Sequence, residues 1–235
     1  LKEFRSFGKK ILTSKYLKVV IVLLIFAFLL RAGYDRWRDS QPIDYAREKG
    51  TAVATIDGKS LTLEDMAYLI MLEERRTEEQ ARIYNPASPK DYWNTSDKGK
   101  ILSIRIRNTT LDMAIHDKIM YERASKAGIK LNAGEMKTVK NAQTDFWEDL
   151  FDGQEDNAYT SKETINSQIY RAAVVTKYQR ILAKNAKINQ ARYGYEGDKY
   201  KEILEDYKVK VNKTFLRKIR MGEVTLVHDT VNFVQ

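Results

Sequence analysis

Chemistry needs nucleophiles, general bases or metal ligands, and this chain offers few of them. It has no cysteine and only two histidines, His116 and His228. A chain without thiols builds no disulfide, zinc ribbon, iron–sulfur cluster or thiolate nucleophile. His116, in IHDK, has no second histidine one helical turn away, and His228, in VHD, stands near the end of an apolar run. Each reads as a solvated or hydrogen-bonded side chain rather than a metal ligand. The neighbouring carboxylates Glu64-Asp65, Glu73-Glu74 and Glu78-Glu79 read as solvated helix faces, because no apolar surroundings suggest the shifted pKa that acid–base work requires. There is no phosphate loop, no G-x-S-x-G turn and no dinucleotide glycine pattern. The tyrosine-rich YGYEGDKY at 193–200 could stack on sugars, although a surface loop with ordinary aromatic packing is the simpler reading. Binding without a cofactor or metal is therefore the expectation, ahead of catalysis.

The charge distribution narrows what is bound. The formal net charge is +9, but residues 1–39 hold nine Lys and Arg against three Asp and Glu, which leaves a surplus of only three on everything that follows. No basic run with interleaved aromatics marks a phosphate-tracking face, so no nucleic acid is expected. The basic tail, 1–15, leads into VVIVLLIFAFLL at 19–30, which is free of charge. Extended to 16–34, with cationic stems reaching the headgroups, this stretch predicts a transmembrane signal anchor in contact with membrane lipid. LRAGYDRWRD behind it has no small-x-small cleavage site. Cationic residues dominate the amino-terminal flank, which predicts a cytoplasmic amino terminus and an extracytoplasmic body at the cell membrane.

At 235 residues, 43% hydrophobic and 31% charged, the chain can bury a core and is not intrinsically disordered. A polar neck, 35–50, precedes a body at 51–235. TAVATI at 51–56 alternates like a strand and Asp57-Gly58 supplies a turn. Thr62 with Asp65 opens a helix running to about Tyr84, before Asn85-Pro86. A long helix is predicted from about Asp97 to Ala127, stopped by Gly128. Asn132 with Glu135 and Thr160 with Glu163 open two more, and a short helical run follows at 198–206. KVKV at 208–211 and EVTLV at 223–227 alternate like strands. The fold class is thus mainly α, with a small β element joining the ends of the body. Three N-x-(S/T) sequons, at Asn94, Asn108 and Asn212, leave a eukaryotic type II membrane protein open.

AVATIDGKSLTLEDMAYLI at 52–70 resembles the opening of the SurA-type chaperone domain, in which a strand, a turn ending in glycine and a capped helix follow one another. LDMAIHDKIMYERASKAGIKLNAGEM at 111–136 is similar to a second signature of that family, a long helix ending in Gly-Ile before another capped helix. The resemblance covers about 52–190 and implies an extracytoplasmic folding factor of the SurA/PrsA/PpiD-like kind. The chain departs from that family in having no Gly-Gly pair and too few residues for a parvulin isomerase module. The implied activity is non-catalytic binding of unfolded or secreted polypeptides in a groove between helices. Flexible methionines and aromatics at the rim would serve it: Met66, Met71, Met120, Met136, Phe146, Trp147 and Phe151. Each of them could equally be core; Phe146 and Trp147, being adjacent on one helix, cannot both enter a narrow inward stripe. The alternatives are a scaffold or accessory subunit serving one fixed partner in a secretion, cell-wall or polysaccharide assembly complex, and a degenerate isomerase.

Overall fold

The structure is a computed structural model that describes residues 15–41, 43–97 and 99–228. The expected basic tail 1–15 lies almost wholly outside the described residues. Helix α1 (Lys15–Ser40) belongs to one unit of the chain, and everything from Ile43 onward forms a second. Between residues 19 and 30 α1 carries no polar side chain, and every large apolar side chain from Val19 to Leu30 is exposed. The transmembrane expectation over 16–34 is not supported in full. Among the described residues no helix is long and apolar enough to cross a membrane. The stretch free of charge covers only 19–30, about 18 Å at roughly 1.5 Å per residue, against a hydrocarbon layer of about 30 Å.

The second unit opens with α2 (Tyr45–Glu48), where the Asp44 carboxylate accepts from the Arg47 N–H. Strands β1 (Ala52–Ile56) and β2 (Lys59–Thr62) make a hairpin through Asp57 and Gly58, whose φ values of +48° and +81° are those a two-residue primed turn demands. Thr62 and Asp65 then exchange hydrogen bonds reciprocally, 3.0 and 3.2 Å, as the spacing predicts. A 3₁₀ turn (Glu64–Met66) leads into α3 (Ala67–Tyr84). After the short α4 (Lys90–Trp93), β3 (Ser96–Asp97) and β4 (Lys100–Ile101) pair as a small hairpin, so α5 (Leu102–Lys126) begins later than expected. Gly128, at φ +68°, ends the turn behind it.

Helix α6 (Ala133–Glu148) carries the predicted capping box of Asn132 and Glu135. Helix α7 (Lys162–Ala186) is capped by Ser161 rather than Thr160, because the Thr160 hydroxyl donates to Glu64 Oε1 at 2.5 Å instead. Helix α8 (Asp198–Leu204), strand β5 (Val209–Val211) and helix α9 (Lys213–Leu216) complete the described elements. The sheet order is β2-β1-β5, antiparallel throughout, so the start and the late part of the body meet on β1. Helices α3, α5 and α7 pack against one another, with Leu63, Met66, Ile70, Met71, Ile119 and Ile165 fully buried. The mainly helical class with a small β element is as expected.

The expected strand at 223–227 does not form, and the reason is electrostatic. The Glu74 side chain on α3 is completely buried. Its Oε1 accepts from the N–H groups of Gly222 (2.6 Å) and Val224 (3.0 Å), and its Oε2 from the N–H (2.8 Å) and hydroxyl (2.7 Å) of Thr225. Backbone donors that a strand would give to a neighbour go to one carboxylate. Gly222 has no alternative residue: its φ is +92°, and a Cβ there would stand 2.5 Å from the Trp93 ring. One turn further along α3, Glu78 is gripped by Trp93 Nε1 (3.0 Å), His228 Nε2 (3.1 Å) and Arg82 Nε (3.3 Å). Gln154, also fully buried, donates to the Met71 carbonyl at 2.9 Å and to Thr225 Oγ1 at 3.2 Å. Glu74 and Glu78 are therefore structural clasps, which corrects their reading as solvated faces.

Burial pushes the Glu74 carboxyl above its ordinary range, and the four donors oppose that push. Burial acts the same way on Glu78, but His228, Trp93 and Arg82 outweigh it and hold this carboxyl below its ordinary value. Glu74→Gln must turn an amide NH₂ toward donors. Turned toward Thr225, whose hydroxyl can rotate to accept, the amide orphans the Thr225 N–H at about 1–3 kcal/mol, so the variant should lose at least ~1 kcal/mol in urea denaturation. Glu78 is depressed in the folded state, so its contribution is present above the unfolded pKa near 4.5 and is lost as pH falls through the lower folded value. The stability gap between the wild type and Glu78→Gln should accordingly be wide at about pH 6 and close below about pH 4.5. Equal gaps at both pH values would dissociate Glu78 from the clasp.

Candidate binding groove

Where α3, α5 and α7 converge over β2, they leave a cleft of about 290 Å³. Leu61 from β2, Tyr68 and Leu69 from the first turn of α3, Ala114 and Tyr121 from α5 and Ala172 from α7 line it with apolar surface. A second hollow shares Asp65, Gln168 and Arg171 with the first and continues the depression along the start of α7 past Glu163 and Ser167. Leu61 and Leu69 are buried and form a floor, while the tyrosine rings stand half-exposed as walls. Burial lifts the Tyr68 hydroxyl above its ordinary pKa, so it stays protonated and available as a donor at neutral pH.

The cations at the rim are paired with carboxylates of the protein. Lys118 Nζ lies 3.3 Å and Arg171 Nη1 4.0 Å from the Asp65 carboxylate. Lys59 Nζ donates to Glu122 at 2.8 Å, and Asp117 Oδ1 stands 2.8 Å from His116 Nδ1. Arg171 also lies over the Tyr121 ring at 5.7 Å. An apolar floor with a self-paired rim asks little of the charge on whatever enters.

The groove owes its shape to an uncommon cap. The start of α3 receives no side-chain cap from its own neighbourhood. Gln168, from α7, fills that role across the cleft: its Oε1 accepts from the Tyr68 N–H at 2.8 Å and its Nε2 donates to the Glu64 carbonyl at 2.6 Å. The same side chain therefore satisfies α3, spaces α3 from α7 and lines the pocket. Spacing along the sequence held no sign of it, since the partners are about a hundred residues apart.

The seven residues expected at a binding rim divide. Met66, Met71 and Met120 are fully buried and Phe146 nearly so, which places them in the core. Met136, Trp147 and Phe151 are half-buried, at separate places rather than around one pocket. Phe146 and Trp147 do split as neighbours on a helix should. Phe146 packs edge-on against Tyr68, 5.2 Å between centroids, while Trp147 donates to Asn166 Oδ1 at 2.9 Å beneath Lys162. The groove residues Leu61, Tyr68, Tyr121 and Arg171 were missed because each is ordinary in its own helix or strand.

The histidines act structurally. His116 is buried, with Nε2 2.9 Å from both the Tyr193 carbonyl and Gln179 Nε2, and its ring meets Tyr200 edge-on at 4.6 Å. Tyr200 is buried and Tyr193 half-buried, so these members of the 193–200 run pack inward. Among the described residues, no group of three or more His, Asp and Glu could hold a metal ion. Comparisons with family models, with curated proteins and with solved structures return no match.

If Gln168 frames the groove, Gln168→Ala should cost about 1–3 kcal/mol in urea denaturation, because the Tyr68 N–H loses its acceptor and the Glu64 carbonyl keeps only the Ala67 N–H. Its effect should exceed that of Ser167→Ala one residue away. Indistinguishable midpoints would mean that water replaces the amide without loss.

Proposed function

We propose that the chain is a membrane-anchored chaperone-like protein whose body holds unfolded or secreted polypeptide segments in the groove between α3, α5 and α7, without catalysis. The observation that carries this reading is the groove itself: an apolar floor, tyrosine walls and a rim whose charges are already paired. A pocket for one small substrate fixes orientation with a few convergent polar groups. Here the polar groups at the rim point at each other, which favours side chains of varied character over a single ligand. The depression continues past Arg171 toward Glu163, a shape suited to an extended segment rather than a compact molecule. The resemblance of 52–70 and 111–136 to SurA-type chaperones points the same way.

Helix α1 is the proposed anchor. Twelve consecutive apolar residues exposed on all faces have no place in water. The uncharged run is shorter than the hydrocarbon layer, and long cationic stems at its ends can bridge the remainder to the headgroups. The charge bias of the amino-terminal flank supports a body outside the cytoplasm.

The test uses the full chain reconstituted in lipid nanodiscs. Fluorescent aromatic-rich peptides should bind with dissociation constants of micromolar order, about 8 kcal/mol. Ala172→Trp, which fills the groove from a half-exposed position, should weaken them at least tenfold, about 1.4 kcal/mol, without lowering the denaturation midpoint. A scaffold would instead ignore these peptides and co-purify from native membranes with one partner at constant stoichiometry. Catalysed refolding of a proline-limited protein would return the isomerase reading. For the anchor, a carboxy-terminal reporter active only in the cytosol refutes the proposed topology.

A further inference from the structure

A second hollow lies on the body apart from the groove, under the clasp. It encloses about 330 Å³ between α4, the start of α5 and residues 217–228. Four cationic side chains line it: Lys90, Arg107, Arg217 and Arg220. Among the described residues the only carboxylate in the lining is Glu223, and it is engaged, 2.8 Å from Lys90 Nζ and 3.9 Å from Arg220 Nη1. Arg107 and Arg217 are different. Among the described residues neither is paired with a carboxylate: Arg107 Nη1 donates to the Arg217 carbonyl at 3.2 Å, and Arg217 Nε to the Lys213 carbonyl at 3.1 Å. The Nε of Arg107 is buried with no hydrogen-bond partner.

Arg107 is half-buried beside Arg217, and the forks of both meet only backbone carbonyls among the described residues, which leaves N–H groups directed at no anion of the protein. Burial first, and the nearby Arg217 charge second, push the Arg107 guanidinium below its ordinary pKa. Planar N–H forks match the oxygens of a phosphate, and two guanidiniums, Arg107 and Arg217, with no carboxylate partner among the described residues suit a multiply charged or ester anion better than a lone carboxylate. The rest of the lining is mixed: Asn94, Ser103 and His228 are polar, and Trp93, Ile104, Ile219 and Met221 supply apolar surface. Its size lies at the low end for small-molecule sites.

We infer that this hollow is a binding site for a phosphate ester whose oxygens are held by Arg107 and Arg217 and whose small organic group lies against Trp93 and Ile104. The same chemistry is presented by a free phosphate ester and by the headgroup of an acidic phospholipid. The site is independent of the peptide groove, shares none of its lining, and requires no reaction.

The experiment is calorimetric titration of the full chain in nanodiscs of phosphatidylcholine with inorganic phosphate, glycerol 1-phosphate and acetate. Glycerol 1-phosphate should bind saturably, at least as tightly as inorganic phosphate, and acetate at least tenfold more weakly. The single variant Arg217→Gln, at an exposed position, and the double variant Arg107→Gln with Arg217→Gln should each weaken the ester at least tenfold. The single variant should keep the wild-type melting temperature, so that lost binding is not lost folding. Repeating the titration in phosphatidylglycerol discs separates the sources: apparent weakening there marks the lipid headgroup as the occupant, and an unchanged affinity marks a free ester. No saturable heat up to about 10 mM phosphate ester, equal affinity for acetate, or undiminished binding by a folded Arg217→Gln protein would each overturn the assignment.

Discussion

The Glu74 carboxylate is the constraint around which the body is arranged. A carboxylate removed from water must find donors, and a fully buried one needs several. Here all four come from residues 222–225, about 150 positions away along the chain. The carboxy-terminal segment is thereby fixed over α3, and Gly222 is brought against the Trp93 ring. Trp93 in turn reaches Glu78, and Glu78 reaches His228. Two acidic residues one helical turn apart hold two points of the same segment, so they act on its path as a pair. An apolar residue at position 74 would leave three backbone N–H groups without partners and remove the reason for that path.

This arrangement explains both what was legible in the sequence and what was not. Local devices were legible because their partners lie three residues apart: Thr62 with Asp65, Asn132 with Glu135, the primed turn at Asp57-Gly58, and Gly128 beyond α5. Each is a short-range exchange between a side chain and the adjacent backbone, and local spacing is all it requires. Thr160 failed as a cap for the opposite reason, since a carboxylate from another element, Glu64, claimed its hydroxyl. The run at 223–227 failed likewise: β-branched alternation records a preference for extended backbone, but whether that backbone joins a sheet depends on who accepts its N–H groups.

Glu74 and Glu78 did leave a trace. They stand on the helical stripe that runs through Ala67, Met71 and Ala81, all of them buried. The apolar residues at 66, 67 and 69–72 cover every face of the helix, which marks α3 as enclosed rather than peripheral. Within an enclosed helix, an acidic residue on the inward stripe predicts a buried acceptor, whatever its neighbour in the sequence. Gln168 and Gln154 left no comparable trace. Glutamine carries a donor and an acceptor on one amide, so it can satisfy any pair of orphaned backbone groups that the tertiary fold brings close, and only the fold decides which.

The groove inherits its rigidity from the same economy of polar groups. Its floor is core, its spacing is held by an amide that caps α3 from α7, and its rim charges are paired before anything arrives. A ligand entering it therefore meets cations, Lys118, Arg171 and Lys59, that already have carboxylate partners. What it can gain is removal of apolar surface from water, together with contact against two tyrosine rings. Such a gain depends weakly on which side chain supplies the surface, and this is the physical requirement for holding many different segments at modest strength. Met66, Met71 and Met120 lie instead in the core, where an adaptable side chain fills the irregular space between converging helices, and a rim built on rings supplies the contact.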